Sequence, residues 1–168
     1  TRSGVGIRGG FLFATGNSFG GVDRLTSLRT VYKYEMRDFQ VESTALAGFS
    51  WGLGNVDWTL LDIGVSRIFG SSDFSTYLGA GIGVHSVTVE KRQTVDVVTP
   101  GYPTYTYDIG AKQTATAPTL DLIAGIMALR TYDFELILEL RYHYVFEPFN
   151  EVGGNGAQGV MLTFGTSR

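Results

Sequence analysis

The sequence predicts an all-β protein: an eight-stranded antiparallel up-and-down transmembrane β-barrel. Three observations carry that expectation. Apolar and polar residues alternate with period two along most of the chain, and helical spacing is scarce. The connections between alternating segments are short and long by turns, as in transmembrane barrels. The polar faces mix glycine with charges of both signs, whereas the apolar faces carry almost no charge.

The segments follow in chain order. Residues 5–15 place Val5, Ile7, Phe11 and Phe13 on one face and Arg8 on the other. Residues 24–35 set Leu28 and Tyr32 against Arg29, Lys33 and Glu35. This second segment has the thinnest alternation, and its junction with the third, at Met36-Arg37, lacks Gly or Pro. It also reads as an extension of the third strand into a long loop. Residues 38–51 set Phe39, Val41, Ala45, Ala47, Phe49 and Trp51 against Gln40, Glu42, Thr44 and Ser50. Residues 57–69 set Leu61, Ile63 and Val65 against Asp62, Gly64 and Ser66.

Residues 74–89 carry Phe74, Leu78, Ala80, Ile82 and Val84 opposite Tyr77, Gly79, Gly81, Gly83 and His85. Glycine weakens a strand unless something needs the space, so this face predicts a crowded interior. Residues 117–129 set Leu120, Leu122, Ala124, Ile126 and Ala128 against Asp121 and Gly125. Residues 134–146 alternate most clearly. Phe134, Leu136, Leu138, Leu140, Tyr142, Tyr144 and Phe146 oppose Glu135, Ile137, Glu139, Arg141, His143 and Val145. Residues 158–164 set Val160, Leu162 and Phe164 against Gly159, Met161 and Thr163.

Residues 70–73 and 130–133 read as tight turns; 16–22, 90–116 and 147–156 read as longer loops. Eight membrane strands of about 9–11 residues use roughly 80–90 residues. A chain of 168 accommodates them, and residues 1–168 read as a single domain.

Composition narrows the function classes. With no Cys there is no disulfide framework, no Cys-based zinc site and no thiol nucleophile. A formal charge of -3 counts against a nucleic-acid partner. The most apolar run, 120–129, is far shorter than a membrane helix and contains Asp121. The opening Thr1-Arg2-Ser3-Gly4 is compatible with a mature chain whose signal has been removed.

Period two alone does not say which face is wet. A soluble barrel turns its charges outward, and a membrane barrel turns them inward. Paired charges and glycines suit a narrow packed lumen. Aromatics near the ends of the apolar faces, such as Phe11, Phe13, Phe39, Phe74, Tyr144 and Phe146, suit two interfacial girdles. Arg67 is an exception on an apolar face, close enough to a turn to snorkel. The lumen is therefore expected to hold a charge network of Arg8, Arg29, Lys33, Glu42, Asp62, Asp121, Glu135, Glu139, Arg141 and His143.

The stretches Tyr77-Leu78-Gly79-Ala80-Gly81-Ile82-Gly83-Val84, Asp62-Ile63-Gly64-Val65-Ser66 and Leu138-Glu139-Leu140-Arg141-Tyr142 resemble strands of small bacterial outer-membrane barrels. The OmpA transmembrane domain and OmpX are the familiar members. The resemblance covers nearly the whole chain at the level of pattern. It implies a Gram-negative outer membrane, extracellular loops, periplasmic termini and contact with outer-membrane lipid or lipopolysaccharide. That family usually ends on an aromatic. Here Phe164 is followed by Gly165-Thr166-Ser167-Arg168, which reads as an offset signal, a periplasmic continuation left out, or an internal strand of a larger assembly.

Site readings are sparse. Two His without Cys do not make a zinc site, and no cofactor motif is present. Gly79-Ala80-Gly81-Ile82-Gly83 has the wrong spacing and no following helix for a phosphate loop. His85 and Ser86 are adjacent and so point to opposite faces, which counts against a lipid A-modifying enzyme. The column of Glu135, Glu139, Arg141 and His143 reads either as a charged constriction of a small pore or as a salt-bridge network. The segment 90–116 bears Tyr102, Tyr105 and Tyr107. It reads equally as a recognition loop for a protein partner and as a hairpin extending strands five and six. The expectation is thus a non-enzymatic barrel acting structurally, in adhesion or in binding, with pore activity as a minor role. The alternative from another class is a soluble lipocalin-like barrel with an apolar cavity.

Overall fold

The computed structural model describes every residue except 16–22, 51–55, 71–72, 98–99, 101–104 and 147–157; for 91–97 and 105–111 it describes the backbone alone. The strands are β1 (Arg2–Ala14), β2 (Arg24–Glu35), β3 (Phe39–Phe49), β4 (Val56–Phe69), β5 (Phe74–Val97), β6 (Tyr105–Ala128), β7 (Glu135–Val145) and β8 (Gly159–Ser167). Each pairs antiparallel with the next, and β1 pairs with β8, so the sheet closes into an eight-stranded barrel. The eight elements are those the alternation predicts, including β2, which is a strand of its own.

The differences lie at element ends. β8 continues past Phe164 to Ser167, because Gly6 and Ile7 of β1 pair with Ser167 and Thr166. β5 and β6 run far beyond residues 89 and 117. Eight further pairs, from Glu90–Lys112 to Val97–Tyr105, form a two-stranded ribbon roughly 27 Å long at about 3.4 Å per residue. The hairpin reading of 90–116 therefore holds for the backbone. The turn near Met36 closes without Gly or Pro, through a Met36 amide that donates to Phe39 O at 2.7 Å. β6 stops where Leu129 takes φ 61°, and Gly70 makes the preceding short turn at φ 100°.

Alternation sorts the side chains. Ile82 (67% accessible), Leu61 (66%) and Leu78 lie on the outer wall, while Arg8, Arg29 and Arg141 are fully buried in the lumen. Phe11, Phe13, Phe49, Tyr144 and Phe146 ring the long-loop end. Phe39, Phe69, Phe74, Tyr132 and Phe134 ring the other; Trp51 lies outside the described residues. From Phe74 to Val84 the strand rises about 34 Å, which a tilt near 40° reduces to about 26 Å, the height of a membrane barrel's apolar band. Arg67 is exposed and sits 5.6 Å from the Phe69 ring centroid, beside the short-turn girdle.

The lumen is not polar throughout, which corrects the sequence expectation. Leu12, Leu25, Leu46, Val56, Trp58 and Met161 belong to an apolar plug toward the long-loop end. Ile68, Tyr77, Ile123, Met127 and Ile137 form a second cluster toward the short turns. Both faces of a strand are apolar at these levels, so period two carries no signal there.

Glycines make room for this filling. A Cβ at Gly83 would stand 2.5 Å from Leu61 O and 2.8 Å from Asp62 Cβ. A Cβ at Gly125 would collide with the Tyr77 ring. Gly125→Val should cost roughly 1–3 kcal/mol, as overpacking does. Urea unfolding in vesicles checks this, and an unchanged midpoint would mean that the lumen has slack at this level.

Candidate functional site

Between these apolar clusters the described lumen holds a stack of ion pairs. β1, β2, β3, β4, β6 and β7 each send charged side chains inward at alternate positions, and closure brings residues distant in sequence together. Glu139 of β7 is the hub. Its Oε2 accepts from Arg8 Nη1 at 2.6 Å and from the Tyr77 hydroxyl at 2.6 Å. Its Oε1 accepts from Arg29 Nη2 at 2.5 Å and from Arg141 Nε at 3.3 Å. Arg8 also forms a two-point pair with Glu42, one arm at 3.1 Å. Arg141 reaches Asp62 and, at 3.4 Å, Asp121.

Two satellites flank the hub. Toward the short turns, Lys33 pairs with Glu135 and, at 3.1 Å, with Glu35. Arg130 enters from the turn after β6 and donates to Glu35 Oε1 through Nε at 2.9 Å and Nη2 at 2.8 Å. A mouth of about 350 Å³, lined by Arg2, Lys33, Tyr132, Glu135 and Ser167 among others, opens at this end.

Toward the long loops, Trp58 Nε1 donates to His85 Nδ1 at 3.3 Å. That nitrogen lies 3.0 Å from His143 Nε2, and His143 Nδ1 lies 2.8 Å from Asp121 Oδ1. Among the described lumen residues, Arg8, Arg29, Lys33, Arg130 and Arg141 face Glu35, Glu42, Asp62, Asp121, Glu135 and Glu139.

All ten residues expected in the lumen network lie there, buried and paired. Of the three tyrosines, Tyr102 lies outside the described residues. Tyr105 and Tyr107 stand in the β6 backbone, paired with Val97 and Val95. Sequence reasoning missed Arg130, which sits in a turn where no periodicity marks it, and the Trp58–His85 bond, which depends on lumen filling. Among the described residues no three metal ligands gather.

Outward apolar walls around a charged, filled bore define a class, the small eight-stranded outer-membrane β-barrels, and the fold of this chain is theirs. The chain is similar to neisserial surface protein A at a TM-score of 0.73 and 16% identity, covering 98% of this chain and 95% of that one. It is similar to the N-terminal barrel domain of Pseudomonas aeruginosa OprF (TM-score 0.51, 15% identity, 98% and 95% covered). A third likeness is to Yersinia pestis Ail, the attachment invasion locus protein, solved with the heparin analogue sucrose octasulfate (TM-score 0.53, 12% identity, 98% and 95% covered). At these identities the likeness is one of fold. No family model matches the chain, and no curated protein matches it in sequence.

Glu139 holds three arginines and a tyrosine, so its removal strands buried cations. Glu139→Ala should destabilise the barrel by about 3–5 kcal/mol, the usual cost of breaking a buried pair from one side. Reversible urea unfolding in lipid vesicles measures it; a loss under about 1 kcal/mol would show that lumen water replaces the carboxylate.

Proposed function

We propose that the protein is a non-enzymatic barrel of a bacterial outer membrane, structural in its wall and recognising partners through the β5–β6 hairpin, with the long-loop end outside and the termini in the periplasm. One observation carries this reading: the faces are inverted, apolar outward and charged inward, over a height that fits a bilayer. A lipocalin-like binder needs the reverse, an apolar cavity and a charged exterior.

Two further features support the rest of the reading. Ser86 lies on the outer wall against Thr116 at 3.3 Å, and His143 lies in the lumen. A nucleophile and its base must stand within hydrogen-bond reach, and here the barrel wall separates them. The apolar plug around Trp58 lies beyond the ion pairs and supports a closed bore rather than a pore. Recognition then falls to the hairpin, a projecting segment on a rigid scaffold.

Refolding from urea tests the membrane reading. A β-type circular dichroism spectrum and a heat-dependent gel shift should appear in detergent or vesicles and not in plain buffer. A soluble monomeric β-protein in buffer would overturn it.

The hairpin's chemistry differs from a polyanion site. Residues 90–112 carry Glu90, Asp96 and Asp108 against Lys91, Arg92 and Lys112, with no basic excess, and three tyrosines. Tyrosine contributes large contact area at low entropy cost, which suits a protein partner. Vesicles bearing the refolded protein should therefore pass a heparin column at physiological salt. Salt-sensitive retention would reassign the hairpin to sulfated polysaccharide.

A further inference from the structure

Beside the mouth at the short-turn end lies a second hollow of about 330 Å³, lined by Arg2, Glu35, Arg37, Arg130 and Thr131. Segments far apart in sequence build it: the start of β1, the turn between β2 and β3, and the turn after β6. Three guanidinium groups and one carboxylate share this lining.

Arg130 assembles the hollow. Its Nη1 donates to Gly70 O at 3.0 Å and to the Ser75 hydroxyl at 3.4 Å, and its Nη2 donates to Arg37 O at 3.3 Å. With Nε and Nη2 also on Glu35, its five donors are engaged and its charge is paired. Glu35 meets Lys33 as well, and Glu135 balances Lys33. Arg2 and Arg37 differ. Arg2 donates to the carbonyls of Arg130, Thr131 (3.5 Å) and Tyr132 (3.3 Å), and to no carboxylate among the described residues. The Arg37 side chain is exposed and forms no ion pair or hydrogen bond among the described residues. Of the nearby carboxylates, Asp73 takes the Thr131 hydroxyl, and Asp38 follows Arg37 in the turn without pairing to it. The lining therefore carries a surplus of two positive charges, both on side chains with donors to spare.

We propose that this hollow binds a dianionic phosphate between Arg2 and Arg37, as the free ion or as a small organic monoester. Charge and shape select it. A phosphate monoester carries about -1.5 to -2 at pH 7 and three strong acceptor oxygens, which match the surplus and two guanidinium forks. A carboxylate brings half that charge and two oxygens. The hollow lies at the lower end of the range for small-molecule pockets, about 300–1,000 Å³, so a short organic group fits beside the phosphate. Arg130 acts as a positioning residue that holds the turns and occupies Glu35. The periplasmic placement of this end, proposed above, decides only which solutes reach it.

Isothermal titration calorimetry of the refolded barrel at constant ionic strength tests this with inorganic phosphate, glycerol 3-phosphate and acetate. At neutral pH both phosphates should bind one site per chain, at least about fivefold more tightly than acetate. Since the second phosphate pKa is about 6, their affinity should rise several-fold between about pH 5 and about pH 7.5. Tighter binding of glycerol 3-phosphate assigns an organic monoester, and equal binding assigns the free ion. Arg37→Gln breaks no side-chain bond and should weaken both phosphates at least about fivefold. Arg67→Gln removes an equal charge from the same end, outside the lining, and should change neither. Each variant is first shown to be folded by its heat-dependent mobility.

Equal affinity for acetate overturns the proposal, as does an Arg37→Gln variant that binds phosphate as before. An Arg67→Gln variant weakened as much as Arg37→Gln overturns it too, because that is the mark of diffuse counter-ions. A barrel that folds in detergent and takes up no phosphate sinks this site alone. A chain that folds only in plain buffer sinks the membrane reading, and its phosphate titration in that buffer still decides the site.

Discussion

The ladder between β1 and β8 is the constraint on which the other features depend. Gly6 through Ala14 pair with Ser167 through Gly159, so neither the first nor the last strand leaves an edge along this seam. Against hydrocarbon, an open edge would strand backbone amides and carbonyls with nothing to bond, at several kcal/mol each. Closure with eight strands then fixes a bore that side chains fill. The crowding at Gly83 and Gly125, the apolar plug and the dense ion pairing are all consequences of filling that bore.

The ion pairs add little net stability by themselves, because desolvating each partner offsets most of the attraction. Their effect is clearer in register. A strand with apolar residues on both faces would tolerate a one-residue slip, which exchanges inside and outside. Here such a slip in β7 would turn Glu139, Arg141 and His143 toward the outer wall. In a membrane barrel, a basic residue on the lipid face at mid-depth costs about 2–4 kcal/mol. Glu139, shared by Arg8, Arg29 and Arg141, also ties three strands to one level of the lumen. The network therefore specifies which way each strand faces as much as it holds the strands together.

That same inversion explains how much was legible in the sequence. Charge on one face and aliphatics on the other give a strong period-two signal, so all eight strands and the strand-borne members of the charge network can be placed from alternation. β2, with its thin pattern, still shows Arg29, Lys33 and Glu35 on one face. What alternation cannot show is where both faces agree. The plug around Leu12, Trp58 and Met161 is apolar inside a wall that is apolar outside, so it has no periodic mark. Partners across the bore are hidden too, since Arg8 and Glu139 meet only through closure at a separation of 131 residues. The hairpin ends were ambiguous because residues 90–116 mix both signs of charge with Thr and Tyr, a composition that suits a ribbon and a loop alike.

A filled bore has a consequence for where function can reside. Arg8, Arg29, Arg141, Trp58 and His143, all without solvent access, fill the middle of the described bore. Among the described residues, two departures from an ideal barrel lie on the exterior of the long-loop side. β5 and β6 outrun their neighbours and form the ribbon. Lower down, Ser43 of β3 and the outward residues Leu61, Ile63, Ile82 and Val84 of β4 and β5 line an apolar groove. A barrel of equal strands and uniformly large outward residues would have neither.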